Sequence, residues 1–177
     1  MKRKEEVFKP YKTFIIYLVV IVMLYASFNI CFFNAKIPSP SMENTIMTGD
    51  RILGSRVSVW LGNVDRGDII IFKKGDKHLV KRVIAIEDDT VDIRNGKVYV
   101  NGNLLSEPYL EKSNVTVKGT LIYPLKVPKG KYFMLGDNRN NSEDSRFWSN
   151  PYLDISDVEA KVVLRYYPFD KIGIVGG

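Results

Sequence analysis

A stretch of twenty residues without a charged side chain runs from Phe14 to Phe33 and constrains this chain more than any other feature. Twenty helical residues span about 30 Å, which matches the hydrocarbon thickness of a bilayer. Core helices of soluble proteins rarely run this far without a polar face. The stretch is too long for an ordinary signal-peptide core, and no clean small-x-small site follows it. We therefore expect an uncleaved transmembrane anchor over residues 14–34, in which Cys31 is an inert apolar residue.

The segment before the anchor is basic. Residues 1–13 carry five Lys or Arg and two Glu, a net charge of +3 within the +6 of the whole chain. Basic flanks stay in the cytoplasm, so we predict a cytoplasmic N-terminus, a single pass through the plasma membrane and an extracytoplasmic domain over residues 35–177. The mild positive charge of that domain suits an anionic lipid surface and is too small to argue for nucleic-acid binding.

The counts of cysteine and histidine exclude several classes of protein. One Cys forms no intramolecular disulfide, and one Cys with one His builds neither a cysteine zinc site nor a multi-histidine metal site. His78 is the only candidate base for a Ser-His-Asp triad. The phosphate-binding GxxxxGK[ST] pattern and the GxSxG nucleophile elbow are both absent. We expect no metal and no cofactor.

The region after residue 35 has the alternation of β-strands rather than helical periodicity. Between residues 91 and 102, two alternating segments flank Asn95-Gly96, the pair preferred in a two-residue type I′ hairpin turn. Further strands are predicted over residues 68–72, 78–86, 131–137 and 161–167, and a turn near residues 154–159. Residues 103–129 are irregular, and we expect a small ribbon insertion at about residues 91–130. The predicted fold class is mainly β, an antiparallel β-sheet domain preceded by one N-terminal transmembrane helix.

Two serines follow the anchor within a few residues of the predicted membrane. Pro38 and Pro40 flank Ser39, and Ser41 comes next. Because proline fixes its own φ angle, these prolines hold both hydroxyls in set directions. A rigid juxtamembrane linker is the plain alternative.

Lys81 is the second residue of interest. If residues 78–86 form a strand, Lys81 shares a face with Leu79, Val83 and Ala85, while Arg82 points to the other face. Apolar surroundings lower the pKa of a lysine, and a neutral amine can take a proton from a serine. A snorkelling or edge lysine is the plain alternative.

The third segment, residues 136–146, packs turn formers, two serines and paired opposite charges into eleven residues. A solvated, self-hydrogen-bonded loop is one interpretation. That interpretation does not explain why so dense a cluster directly follows the apolar run at residues 133–135.

Together, the three segments resemble bacterial type I signal peptidases. The serine box, residues 38–46, reads PSPSMENTI against a family pattern near PSxSMxPTL. The lysine box, residues 81–85, reads KRVIA, and the family pattern begins with KRV and an apolar pair. The GDNR box, residues 136–146, reads GDNRNNSEDSR against GDNRDNSxDSR, which is highly specific. The resemblance also includes the anchor and the VYVNG hairpin, and so covers nearly the whole chain.

The resemblance implies a membrane-bound Ser-Lys serine endopeptidase with a signal-peptidase type of catalytic domain. It acts on signal-peptide-bearing precursors and cleaves after small residues, typically Ala-x-Ala. Ser41 is then the nucleophile and Lys81 the general base. The oxyanion hole is formed by the Ser39 hydroxyl and the Ser41 N–H, and Ser142 orients the lysine amine. The resemblance further implies an ion pair between Asp144 and Arg146. It also leads us to expect that the walls of the substrate pocket are Ile37, Met42, Leu79 and Val80.

Three departures from the family patterns concern local geometry. Asn44 stands where the family usually has Pro, Asn140 stands in for Asp, and Glu87-Asp88-Asp89 replaces a stretch that usually contains glycine. None of these positions has an expected role in proton transfer.

Three alternative functions stay open. A Ser-Lys self-processing repressor-type protease shares the catalytic pair, but such repressors carry a DNA-binding domain where this chain has its apolar stretch. The Ser-His-Asp branch of signal peptidases has His at the position that Lys81 occupies here. An inactive, membrane-tethered binding protein on the same scaffold is the third alternative.

Overall fold

The structure is a computed structural model that describes residues 3–111 and 114–175. Met1 and Lys2 of the predicted basic segment lie outside the described residues. The first element is the helix α1, Arg3–Cys31, of which Tyr11–Cys31 is long and apolar enough to cross a membrane and is not buried against the protein. The helix ends three residues before Asn34, the predicted end of the anchor, because the chain continues as a β-strand at Phe32.

The elements after α1 are mostly strands. Short 3-10 helices also occur at residues 40–42, 155–157 and 169–171. In chain order the strands and one short helix are β1 Phe32–Lys36, β2 Arg51–Ser55, α2 Arg56–Trp60, β3 Ile69–Lys74, β4 Lys77–Ala85, β5 Thr90–Arg94, β6 Lys97–Val100, β7 Asn103–Leu104, β8 Leu125–Lys126, β9 Lys131–Leu135, β10 Tyr152–Asp154, β11 Val158–Tyr167 and β12 Gly173–Ile174.

In the described part of the chain the strands form two antiparallel sheets. The larger has eight strands in the order β1-β2-β11-β3-β4-β9-β10, with β12 on β11, and the smaller has the order β7-β6-β5-β8. The predicted mainly β fold with one N-terminal apolar helix is confirmed. Asn95 and Gly96 have φ angles of 51° and 75° between β5 and β6, as a type I′ turn requires. The smaller sheet falls within residues 90–126.

The strand β3 lies at the centre of the larger sheet and is buried on both faces. Ile69 and Ile71 pack into a cluster that also contains Ile37 and Met42, the residues on either side of the two serines. Its other face packs with Trp148 near the end of the third segment. The serine box and the residues after the GDNR box are therefore fixed to opposite faces of one buried strand.

One feature of β4 differs from the alternation predicted for it. A register shift between Val83 and Ala85 in the pairing with β9 marks a β-bulge. Val83 packs with Leu79 on the Lys81 face, whereas Ala85 packs with Ile84 against Phe133 in another cluster. The expectation that Ala85 shares the Lys81 face was wrong, because the bulge reverses the alternation after Val83.

A glycine in β2 tests how closely the larger sheet packs. A Cβ atom at Gly54 would lie 2.7 Å from the Ala160 Cβ and 3.1 Å from the Ile71 Cδ1. We expect Gly54→Ala to lower the free energy of unfolding by about 1–3 kcal/mol through overpacking. Urea unfolding of the full chain in detergent, followed by tryptophan fluorescence, measures the change.

The matched control for that experiment is Gly173→Ala in β12. A Cβ atom at Gly173 has nothing within 4 Å, so this variant should differ from the parent by less than about 1 kcal/mol. Equal unfolding midpoints for the two variants would contradict the close β2–β11 packing.

Candidate active site

The serine box forms a tight turn after β1. Pro40–Met42 is a 3-10 helix, Ser39 precedes it in an extended conformation, and the two serine Oγ atoms lie 3.5 Å apart. Buried Ile37 and Met42 fix the turn to the core from both sides. The half-buried Ser41 is thereby held at the surface of a well-packed region with Ser39 beside it.

The backbone after Ser41 takes a course that proline cannot follow. Asn44 has a φ angle of +87°, in the left-handed region that asparagine tolerates and that the proline ring forbids. Asn44, which stands where the family pattern has Pro, therefore forms a turn that proline could not form. Ile46 N–H still donates to the Met42 carbonyl at 2.8 Å, which closes that turn against the core.

Lys81 is buried in the middle of β4. It lies opposite Ile70 of β3, and only 3% of its surface is exposed. The pKa of its amine is lowered to about 8, mainly by burial and to a smaller extent by the charge of Arg146, while the carboxylates of Asp144, Asp137 and Glu143 act in the opposite direction. A substantial fraction of the amine is therefore neutral in mildly alkaline solution.

Ser41 and Lys81 meet at one cleft of about 430 Å³, which we call the lysine cleft. It is lined by Ser39, Pro40, Ser41, Lys74, Lys77, Leu79, Lys81, Asn141, Glu143 and Trp148. The cleft presents a hydroxyl and a desolvated amine together. These are the two groups that a serine hydrolase of the Ser-Lys kind needs.

A second cleft, of about 400 Å³, adjoins the first across Ser39 and Ser41, and we call it the apolar cleft. It contains all four residues that the resemblance implies as pocket walls, and it includes His78 but not Lys81. Its lining is Ile37, Pro38, Ser39, Ser41, Met42, Lys77, His78, Leu79 and Val80.

His78 has partners away from the amine of Lys81. Its Nε2 lies 3.1 Å from the Glu159 Oε1, and its ring centroid lies 5.3 Å from that of Phe33. Alternation in β4 places it on the opposite face from Lys81. The lone histidine is therefore engaged with β11 and β1.

The GDNR box folds back onto the end of β9. Ser145 N–H donates to the Met134 carbonyl at 3.1 Å, and Met134 N–H donates to the Ser145 Oγ at 2.9 Å. The Asp144 carboxylate accepts two hydrogen bonds from the Arg146 guanidinium, each 2.8 Å long, and both side chains are fully buried. The loop thus has a rigid ionic centre close to Lys81.

Gly136 lets this loop approach the serine turn. A Cβ atom there would lie 2.5 Å from both the Ser41 carbonyl oxygen and the Ser142 Cβ. The Ser142 hydroxyl is buried and has no hydrogen-bond partner among the described residues. Because an unpaired buried hydroxyl costs about 1–3 kcal/mol, the Ser142 hydroxyl calls for a chemical explanation.

Asp137 joins the three boxes, and the sequence reasoning missed this role. Its carboxylate accepts hydrogen bonds from the Arg82 guanidinium at 2.9 and 2.7 Å and from the Thr45 hydroxyl at 2.5 Å. Asn138, the next residue, donates from its backbone N–H to the Ser41 carbonyl at 3.1 Å. Two charged residues in the sequence were the signal for this contact. Arg82 lies next to Lys81 in the lysine box, and Asp137 lies in the GDNR box.

Arg139 connects the site to the segment that follows the smaller sheet's hairpin. Its guanidinium forms a buried ion pair with Glu107 and donates to the Thr116 hydroxyl at 2.5 Å. The Arg82 guanidinium also stacks 3.8 Å from the centroid of the Tyr109 ring. Glu107 and Thr116 therefore contact the GDNR box, and Tyr109 contacts the lysine box.

The acidic turn after the lysine box is closed by its own carboxylates. Asp88 has a φ angle of +66°, and the Asp89 carboxylate accepts from Ile86 N–H at 3.0 Å and from the Arg66 guanidinium. Glu87 accepts from Gly130 N–H at 2.8 Å. The third departure, Asn140, is exposed and contacts Asn114 at 3.4 Å.

Within residues 3–111 and 114–175, His, Cys, Asp and Glu side chains form no group of three or more that could hold a metal ion.

Comparison with known proteins finds signal peptidases. The family model described as signal peptidase, peptidase S26, matches residues 10–167. Signal peptidase I P of Bacillus subtilis subsp. natto is 33% identical over 183 residues, covering 96% of this chain and 97% of that protein. A probable signal peptidase I-2 of Synechocystis is 34% identical over 147 residues, covering 78% of this chain and 65% of that protein. A crystal structure of a signal peptidase I from Enterococcus faecalis aligns with a TM-score of 0.48 at 32% identity, covering 55% of this chain and 95% of that one.

The chain is therefore a peptide-bond hydrolase of the serine peptidase class. It belongs to the signal peptidase family, peptidase S26.

The buried carboxylate of Asp137 generates a prediction about stability. Asp137→Asn preserves the shape of the side chain but leaves the Arg82 guanidinium buried without its counter-ion. We expect the free energy of unfolding to fall by about 3–5 kcal/mol. Urea unfolding of the full chain in detergent measures it.

The same chemical change at an exposed pair provides the control. Asp154 pairs with Lys131 at 2.5 Å, and about half of its side chain is exposed to solvent. Asp154→Asn should cost less than about 1 kcal/mol. If Asp137→Asn were as mild, the three boxes would not depend on this carboxylate.

Proposed function

We propose that this chain is a membrane-anchored serine endopeptidase that removes the N-terminal signal peptides of secreted precursors, cleaving after small residues in the Ala-x-Ala pattern. One observation carries the proposal. A hydroxyl, Ser41, and a desolvated amine, Lys81, line the same cleft in a chain of the signal peptidase family.

Acylation begins with proton transfer from Ser41 to Lys81. A serine hydroxyl is a weak nucleophile until an adjacent base removes its proton, and a lysine with a pKa of about 8 is neutral often enough to act as that base. The Ser41 oxygen then attacks the scissile carbonyl carbon. The protonated amine next gives its proton to the nitrogen of the leaving peptide.

The negative charge on the carbonyl oxygen in this step needs donors. The Ser39 hydroxyl, next to the Ser41 hydroxyl, and the Ser41 N–H provide them. Ser142 orients Lys81 by accepting a hydrogen bond from the amine, which accounts for a buried hydroxyl that is otherwise unpaired. The Asp144–Arg146 pair braces the loop that carries Ser142.

Deacylation uses the same groups in the second half of the cycle. After the mature protein has left, the neutral amine of Lys81 takes a proton from a water molecule. The resulting hydroxide attacks the acyl carbon, and the Ser41 oxygen recovers its proton as the signal peptide is released.

The precursor binds as an added strand. β9 pairs with β4 only from Arg82 onward, so residues 77–81 of β4 are paired on one side alone among the described residues. An extended peptide can add to such an edge and present alternate side chains to the pockets. The apolar cleft, bounded by Ile37, Met42 and Val80, admits the small side chains that precede the scissile bond.

The proposed membrane location is supported by α1 and by the surface beside its end. The predicted anchor continues directly into β1, and Ser55, the residue before α2, pairs with Phe32. Trp60 and Leu61, at the end of α2, are largely exposed near this junction, where tryptophan commonly marks a membrane interface. Anchoring places enzyme and precursor at one surface and raises their effective concentration. The partners are thus precursor proteins and membrane lipid, with no nucleic acid.

The base is tested by substitution and by pH. Lys81→Met keeps the length and apolar packing of the side chain but lacks the amine, and Lys81→Arg stays protonated. Both variants should fold and lose activity by about a thousandfold or more. In the parent enzyme, cleavage should rise with pH through an apparent pKa near 8, because only the neutral amine accepts the proton. The assay is cleavage of an Ala-x-Ala precursor by the full chain in detergent.

The control for this test is the lone histidine. His78→Ala removes the other potential base, which contacts Glu159, and should keep most of the activity. A folded Lys81 variant with near parental rates, or a thousandfold loss in His78→Ala, would move the base away from Lys81. Ser41→Ala should be inactive in the same assay.

The orientation is tested by access of protease. The basic flank predicts a cytoplasmic N-terminus, so protease added to intact protoplasts should digest the chain after residue 35. Immunodetection of the C-terminal domain measures the digestion, and a cytoplasmic marker protein should survive in the same sample. A protected domain in otherwise intact cells would overturn the extracytoplasmic assignment.

A further inference from the structure

The lysine cleft carries more positive charge than catalysis requires. Besides Lys81, it contains the ammonium groups of Lys74 and Lys77, while Glu143 is the only carboxylate in its lining. Lys74 and Lys77 lie directly opposite each other at the end of the β3–β4 hairpin. Like charges placed directly opposite each other in an antiparallel pair are destabilising. Repulsion between the two ammonium groups therefore destabilises the tip of the hairpin, and the folding of the hairpin does not require this pair of charges.

The environment of Lys74 holds this charge in place. Its Nζ lies 4.0 Å from the centroid of the Trp148 ring, and Trp148 is buried. Burial lowers the pKa of Lys74, and the carboxylates of Asp157 and Glu143 act against this shift. Neither Lys74 nor Lys77 forms an ion pair with any residue in the described ranges. The ammonium of Lys74 is therefore positioned on an aromatic face and free to meet a charge on a ligand.

The position of Lys81 tells which half of a substrate enters this cleft. Lys81 lines the lysine cleft but not the apolar cleft, while Ser41 lines both. The amine of Lys81 must reach the nitrogen of the leaving peptide to protonate it. The leaving half of the substrate therefore lies in the lysine cleft, and the half that stays on Ser41 lies in the apolar cleft.

We infer that the lysine cleft binds the first residues of the mature protein and that Lys74, which lines this cleft but not the apolar cleft, selects precursors with an acidic side chain there. Lys77 lines both clefts and adds positive charge between them. This inference rests on the proposed function and adds a specificity determinant on the far side of the scissile bond. Lys77 is four residues from Lys81 along β4, which is about 13 Å of extended chain. The preference should therefore fall within the first four residues of the mature protein.

The experiment uses precursor peptides that differ at one position. Asp, Asn or Lys is placed in turn at each of the first four positions after an Ala-x-Ala site, and kcat/KM is measured with the full chain in detergent. We expect the Asp peptide to exceed the Lys peptide by about fivefold to tenfold at one or more positions, and the ratio to shrink in 1 M salt.

Charge substitutions at the hairpin separate specificity from structure. Lys74→Gln should reduce the Asp-to-Lys ratio to about twofold, and Lys74→Glu should invert it, which a merely structural residue would not do. Lys73→Gln is the matched control, because Lys73 is the neighbouring exposed lysine and does not line the cleft. That variant should keep the parental ratio.

Binding gives an independent readout. The anisotropy of labelled Asp and Lys peptides is measured with the Ser41→Ala variant, where Asp peptides should bind more tightly than Lys peptides. Equal affinities, an unchanged ratio in Lys74→Glu, or a charge preference confined to positions before the scissile bond would each overturn the inference. Failure to cleave every peptide, with the charge preference in binding retained, would instead overturn the proposed function and leave the cleft as an acidic-peptide site.

Discussion

The buried carboxylate of Asp137 is the contact on which the rest of the site depends. It binds the Arg82 guanidinium and the Thr45 hydroxyl, which belong to segments far apart in the chain. These segments carry Lys81 and Ser41 respectively, and Asp137 itself lies five residues before Ser142. One side chain therefore joins the segments that carry the three groups on which the proposed mechanism depends.

The buried ion pairs at this site do more than stabilise the fold. Buried ion pairs contribute little net stability, because desolvation offsets most of their attraction. Here the pairs Arg82–Asp137 and Asp144–Arg146 form a polar scaffold that is almost dry. A scaffold of apolar residues could not hold a loop so rich in amide and hydroxyl groups against a buried lysine. The ionic contacts fix one geometry, and burial leaves Lys81 exposed only where it lines the lysine cleft.

The turn and the strands that depend on local residue pattern could be predicted from the sequence. The type I′ turn at Asn95-Gly96 follows from residue preference, and β3, β4, β9 and β11 follow from short runs of apolar, aromatic or β-branched residues. The strand β1 was missed because Phe32 and Phe33 extend an apolar run that also fits a helix. The side chain of Ala85 was misplaced because a bulge depends on the pairing with β9. The Arg82–Asp137 pair joins residues that are 55 positions apart, and a single sequence does not show which distant charges meet.

The direct passage from α1 into β1 limits the distance between the end of the helix and the Ser41 hydroxyl. No loop separates Cys31 from Phe32, and all five residues of β1 are paired with β2, so the domain has no slack relative to the end of the helix. Five strand residues measure about 17 Å. With α1 in a bilayer, the height of the Ser41 hydroxyl above the lipid is set by the sheet rather than by a tether. For the proposed endopeptidase, a scissile bond held much closer to the lipid or much farther from it would lie out of reach of the Ser41 hydroxyl, whatever its sequence.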